Sequence, residues 1–230
     1  MLTLDGLHLK QGDFSLTADF TLHPGRKITV IGASGGGKST LLAAIAGFLA
    51  PTSGQIFWKD ENLTEKPPSK RPISMIFQDN NLFPHLNATQ NIGLGISPSL
   101  RLSAADHQRI EAALARVGLA EMATRKPAEL SGGQIARVAL ARLLVQGNPV
   151  VLLDEPFAAL GPAMRAEMLD LVAELVEETG ATLLMVTHAP EDAKRISDQV
   201  ILVADHHAHA PVDTKHLFEN PPDAMRDWLG

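Results

Sequence analysis

The chain has 230 residues, 45% of them hydrophobic, no cysteine, and a formal net charge of -6. This composition supports a packed core and excludes a disulfide framework or a thiolate metal site. It also argues against non-specific nucleic-acid binding and against adhesion to anionic lipid by charge alone. No apolar run approaches the ~20 residues needed to span a bilayer, so work at a membrane would require another protein to hold the chain there.

The N-terminus "MLTLDGLHLK" alternates like a strand and lacks a basic region followed by a long apolar stretch, so no signal peptide is expected. "FSLTADFTL" (Phe14 to Leu22) reads as a half-buried strand, and "KITVIG" as a buried one ending at glycine. "LLAAIAGFLA" is predicted to be a buried helix, "PTSGQIFW" a turn leading into a strand, and "ISMIFQ" a further strand ending at Gln78. Helical periodicity runs from Ser103 to Val117 and opens on the capping-box sequence "SAAD". "NPVVLLDEP" is a buried strand with acids at its carboxyl end. Pro162 then opens a helix whose Met164, Met168, Leu171, Val172 and Leu175 share one face. "TLLMVTH" is one more buried strand. Strands separated by helices predict an α/β fold with right-handed crossovers and a mixed, largely parallel sheet, preceded by an antiparallel β portion. One domain is expected over 1–230, with residues 1–86 and 150–230 forming the core and about 87–149 an inserted helical subdomain.

"GASGGGKS", Gly32 to Ser39, fits the P-loop spacing G-x-x-x-x-G-K-[ST] and lies between an apolar strand and a helix, the context this motif requires. Backbone N–H groups at a helix N-terminus form a nest for phosphates, and glycines let the chain bend close to them. The binding stretch comprises Gly32, Ala33, Ser34, Gly35, Gly36, Gly37, Lys38, Ser39 and Thr40. Lys38 brings charge to the outer phosphates, and the Ser39 hydroxyl can bind Mg²⁺. Asp154 ends an apolar strand, where it can approach the same ion, and Glu155 can polarise an attacking water. Phosphoryl transfer needs little more than such positioning and charge neutralisation. His188 and Gln78 stand at the carboxyl ends of two further strands, the edge where open α/β sheets bind ligands, and Gln78 can offer its amide oxygen to Mg²⁺ or water.

Taken together, these motifs resemble those of the ATP-binding subunits of ABC transporters, over nearly the whole chain. In order they are the phosphate loop, the Q-loop glutamine Gln78, the signature "LSGGQ" at Leu130 to Gln134, the Walker B strand to Asp154, Glu155, and the switch histidine His188. The resemblance implies a P-loop NTPase core, ATP and Mg²⁺ as cofactors, and ATP hydrolysis. Glu155, His188 and Gln78 are then the catalytic residues, and Ser39, Gln78 and Asp154 the metal ligands. It further implies a head-to-tail homodimer in which Ser131, Gly132, Gly133 and Gln134 serve the nucleotide held by the other subunit. The remaining partners would be transmembrane permease subunits and, through them, a periplasmic solute-binding protein, with no nucleic acid. The expected place is the cytoplasmic face of the inner membrane, peripheral. "FQDNNLFPHLNATQNIGLGISPSLRL" (Phe77 to Leu102) is similar to the corresponding segment of thiamine-importer ATPases, and no regulatory domain is expected after His188. The expected function is therefore ATP-driven uptake of thiamine or thiamine phosphates; the alternatives are another small solute (a polyamine, an anion or iron), a soluble ABC-type ATPase, or a nucleotide sensor with little turnover.

Four positions depart from the family pattern. The chain has no tyrosine to stack on adenine. Phe14 and His8 are the candidates to replace it, although the expected place of Phe14 is the buried face of its strand. Ile135 follows the signature where arginine or lysine is usual. Ala158 to Gly161 reads "AALG" where the family has "SALD", so slack is expected just before Pro162. "DHHAHAP" replaces a tight glycine turn late in the chain; His206, His207 and His209 there could bind a metal, but a solvated loop is expected.

Overall fold

The computed structural model describes residues 1–225, so the last five positions of the expected 1–230 domain lie outside the described residues. In chain order, β1 (Leu2–Gln11) and β2 (Phe14–Leu22) precede β3 (Lys27–Gly32) and α1 (Lys38–Ala46). Then come β4 (Ser53–Trp58), β5 (Glu61–Asn62), β6 (Ile73–Ile76), α2 (Ala88–Gly93), α3 (Ala104–Arg116) and α4 (Gly132–Gln146). The remainder is β7 (Val150–Asp154), α5 (Pro162–Thr179), β8 (Thr182–Val186), α6 (Pro190–Ile196), β9 (Gln199–Ala204), β10 (His207–Ala208), β11 (Val212–Asp213) and α7 (Thr214–Glu219).

One mixed sheet runs in the order β5-β4-β1-β2-β10-β9-β3-β8-β7-β6, with β11 also paired to β9. The run β9-β3-β8-β7-β6 is parallel throughout. The β5-β4-β1-β2 end is antiparallel. Two-residue β10 joins them, parallel to β2 and antiparallel to β9. The apolar strands of the parallel run are buried on both faces, because alternate residues feed different cores. Leu152, Leu184 and Val186 pack with α1 and the antiparallel strands. Leu153, Leu183 and Met185 pack with α2, α3, α4 and α5. Among the described residues, none of the helices is long and apolar enough to cross a membrane.

Local chemistry explains the element starts. Ser103 caps α3 through the expected capping box with Asp106, and Pro162 occupies the first turn of α5. Four expectations need correction. The strand β6 stops at Ile76 rather than Gln78, because Asn80 and Asn81 take positive φ and turn the chain there. The helix α1 stops at Ala46, with Gly47 as its cap, so Phe48 is exposed rather than buried in the helix. Met164 is 41% exposed while Met168, Leu171, Val172 and Leu175 are buried, because the first turn of α5 projects past the core. The segment expected as a solvated loop instead makes a tight turn at Asp205 and His206, both at positive φ, followed by β10.

Candidate functional site

The strand β3 delivers the phosphate loop to the carboxyl edge of the parallel sheet. Gly32 has φ 144°, and a Cβ there would lie 2.2 Å from the Val203 carbonyl oxygen, so the loop's exit from the strand requires glycine. Gly37 begins α1 at φ 101°, and a Cβ there would meet the Phe14 ring at 2.4 Å. Gly36 N–H donates to the Ala33 carbonyl at 3.1 Å, closing the loop on itself. Lys38 is 4% exposed, and its ammonium donates to the carbonyls of Gly32 (2.9 Å) and Ala33 (2.8 Å). Burial pushes its pKa down, opposed by the charges of Glu155 and Asp154.

Opposite the loop, the Ser39 hydroxyl donates to Asp154 Oδ1 at 2.9 Å. Burial raises the Asp154 carboxyl, the Ser39 hydrogen bond opposes this, and the neighbouring Glu155 charge raises it further. A desolvated carboxylate beside a serine hydroxyl is a pair of hard oxygen donors, which suits Mg²⁺. Glu155 takes φ 47°, a strained position for a non-glycine residue, and its N–H donates to the Val186 carbonyl at 3.2 Å. That conformation places Glu155 Oε1 2.5 Å from His188 Nε2. Ser34, Lys38, Ser39, Thr40, Glu155 and His188 all line one cleft of about 440 Å³.

Not every candidate reaches this cleft. Gln78 is exposed beyond the end of β6 and is not among the cleft residues. The signature residues stand apart as well. Ser131 caps α4, accepting from Gln134 N–H at 3.3 Å while Gln134 Oε1 accepts from Ser131 N–H at 2.9 Å. Ser131 and Gly132 are exposed, and Gly133 is buried, where a Cβ would meet Met164 Sδ at 2.2 Å. Ile135 is half-buried and packs on the helical core. A serine and two glycines at an exposed helix N-terminus, outside their own chain's phosphate cleft, can meet an anion from another molecule.

Phe14 is both a core and a cleft residue: half-buried against the apolar cluster, it also walls the phosphate cleft. The His206 ring lies 6.2 Å from it, with His206 Nδ1 2.9 Å from the Ser15 carbonyl. His8 lies in β1, paired with Thr17 of β2 and Ser53 of β4, and does not line the cleft. Sequence reasoning missed a buried network behind His188. Arg165 Nε donates to Asp192 at 3.0 Å and its Nη2 to Thr187 Oγ1 at 3.0 Å, while the Thr187 hydroxyl donates to Asp192 at 2.5 Å. The only local signal was a threonine before His188; its partners are distant in sequence.

Residues 16–158 match the family model described as ABC transporter. The chain is 60% identical to the thiamine import ATP-binding protein ThiQ of Cereibacter sphaeroides, covering 100% of both chains. It is 54% identical to the ThiQ of Ruegeria sp., again over 100% of each. Among solved structures, the dimeric, post-hydrolysis ATP-binding cassette MJ0796 bound to ADP and Pi is similar, with a TM-score of 0.80 at 29% identity, covering 93% of this chain and 99% of that one. The cassette MJ1267 shares the fold, with a TM-score of 0.89 at 22% identity over 100% of this chain and 99% of that one. With the family model matching more than half of its length, and relatives this close from end to end, the chain belongs to the ABC transporter family.

Proposed function

We propose that the chain is the ATP-hydrolysing subunit of a thiamine importer, acting as a head-to-tail homodimer. Transmembrane permease subunits hold it on the cytoplasmic face of the inner membrane, and a periplasmic binding protein communicates with it through them. Nucleic acid plays no part. The assignment of the transported solute rests on the similarity to the thiamine import ATP-binding proteins ThiQ.

The observation that carries the reading is the separation of two half-sites. Lys38, Ser39, Asp154, Glu155 and His188 converge at one place, while Ser131 and Gly132 are exposed elsewhere on the same chain. ATP bound on the phosphate loop draws Lys38 from its own carbonyls to the outer phosphates. The Glu155 carboxylate takes a proton from the attacking water, and His188 holds that carboxylate in line. Ser39 and Asp154 are the residues that would hold Mg²⁺, which when bound neutralises phosphate charge; Gln78, which stands outside the cleft, would have to move inward to join them. Ser131 of the second subunit offers its hydroxyl, and Gly132 and Gly133 their N–H groups, to the γ-phosphate, so ATP bridges the subunits and its hydrolysis removes the bridge. In this reading residues 87–149 form the subdomain that carries the signature.

The test is the chain reconstituted with its permease in vesicles. Binding protein loaded with thiamine should stimulate ATP turnover; binding proteins loaded with a polyamine, an anion or iron should not. Ser131→Arg should keep nucleotide binding by the isolated chain yet lose dimerisation and turnover. Turnover indifferent to thiamine would refute the cargo. Collapse of nucleotide affinity in isolated Ser131→Arg would refute the shared site.

A further inference from the structure

We propose that Thr187, Asp192 and Arg165 form a positioning device for His188, tying the segment that carries Glu155 to the segment that carries the histidine. This rests on reading Glu155 and His188 as the hydrolytic pair.

The geometry is that of a cross-brace. Thr187 immediately precedes His188, and its hydroxyl oxygen accepts the N–H of Ala189, which follows it, at 3.1 Å. Both backbone flanks of His188 are therefore held around one buried oxygen; Thr187 is 3% exposed. The same hydroxyl donates to Asp192 Oδ2 at 2.5 Å. Asp192 sits in the first turn of α6 and is 6% exposed. Arg165 completes the set, donating to both Asp192 and Thr187. Arg165 belongs to α5, whose start at Pro162 follows the segment leading from Glu155. Its own N–H donates to the Gly161 carbonyl at 2.9 Å. Glu155, His188, Arg165, Thr187 and Asp192 line a common cavity of about 270 Å³. Two loops leave the sheet edge here, one with Glu155 and one with His188, and the brace links them behind the cleft.

Chemistry separates this from simple packing. A buried carboxylate costs folding free energy that an apolar filler would not, even when its hydrogen bonds are satisfied. What a fully satisfied polar network supplies is direction: each bond fixes an angle as well as a distance. A histidine that must meet a carboxylate at 2.5 Å needs that direction. A misplacement of about 1 Å can cost on the order of 10²-fold in rate.

The experiment is kinetic and uses the full-length chain. Thr187→Val keeps shape and removes the hydroxyl; we expect kcat to fall about 10-fold with KM for ATP within about twofold of wild type, and Thr187→Ser to restore kcat to within about twofold. In a single-turnover assay on a His188→Ala background, Thr187→Val should add no further loss, because no imidazole remains to be aimed. Arg165→Gln, at a partly exposed position, gives an independent reading should Thr187→Val fold poorly: reduced kcat at unchanged KM. A wild-type kcat in both Thr187→Val and Arg165→Gln would overturn the brace, as would an equal further loss in the His188→Ala background or a joint fall of kcat, KM affinity and folded yield. Wild-type turnover by His188→Ala would overturn the hydrolytic pair and the brace together. An inactive His188→Ala beside fully active Thr187→Val and Arg165→Gln would overturn the brace alone.

Discussion

Gly161→Asp is the perturbation whose size the structure states most directly. Gly161 is the N-cap of α5, with no side-chain hydrogen bond at that helix start. Its φ of -65° and ψ of 158° are open to any residue, and a Cβ there meets nothing within 4 Å. The backbone there does not require glycine. Pro162 contributes no N–H, which leaves the N–H groups of Ala163 and Met164 for an aspartate to accept. Replacing glycine by aspartate at an N-cap is worth a few tenths of a kcal/mol, the charge beside the helix N-terminus about 0.3–1, and the loss of glycine's freedom in the unfolded chain about 0.4–1. The gain should be about 1 kcal/mol, which raises Tm by roughly 2–4 °C for a chain of this size. Calorimetry of the nucleotide-free chain measures it. Gly161→Ala separates the terms: it shares the unfolded-state effect but cannot cap, and alanine caps worse than glycine, so its Tm should not rise comparably. A Gly161→Asp Tm equal to or below wild type would refute the capping argument.

Glu155→Gln should retain ATP binding by equilibrium titration while steady-state hydrolysis falls about 10²–10⁴-fold; near-normal turnover would remove Glu155 from the base role. Asp154→Asn should raise the thermal stability of the nucleotide-free chain at neutral pH. The folded pKa of Asp154 is raised, so its ionisation opposes folding; the penalty is absent below the ordinary carboxylate pKa of about 4 and complete above the raised folded value. The advantage of the asparagine should therefore shrink as unfolding is measured at lower pH. Gly32→Ala drives a Cβ onto the Val203 carbonyl oxygen at positive φ and should cost roughly 3 kcal/mol in chemical denaturation.

The parts of the fold that were legible are those written in local chemistry. Ser103 with Asp106, Pro162, and the glycines from Gly32 to Gly37 each state a backbone geometry within a few residues of themselves. The apolar runs of β3, β7 and β8 announce burial on both faces. What was not legible depends on partners far along the chain. Arg71 reads as one more cation, yet it is buried and donates to the carbonyls of Ala44, Ile45, Thr64 and Lys66, satisfying the end of α1. Arg165 and Thr187 meet only because α5 packs against α6, just past the end of β8. His206 was read as part of a solvated loop, because no glycine marks the turn. The pairing of β9 with β10 closes one there all the same, with Asp205 and His206 at positive φ.

The narrow joint in the sheet has a mechanical consequence. Phe14 stands on the antiparallel end, and Lys38 and Glu155 stand at the edge of the parallel end. Among the described residues the ladder between them is β10 alone, paired at His207 and Ala208, reinforced by the Thr17 N–H to the His206 carbonyl. A ladder that short resists shear but offers little torsional stiffness. The apolar cluster shared by both ends supplies what the ladder lacks, since Leu4, Leu16, Leu42, Val203 and Ala208 belong to one packed body. The wall that carries Phe14 is thereby registered against the floor of the phosphate cleft by side-chain packing on α1, not by the backbone ladder, so a void opened in that shared cluster would loosen the cleft even with every strand pairing intact.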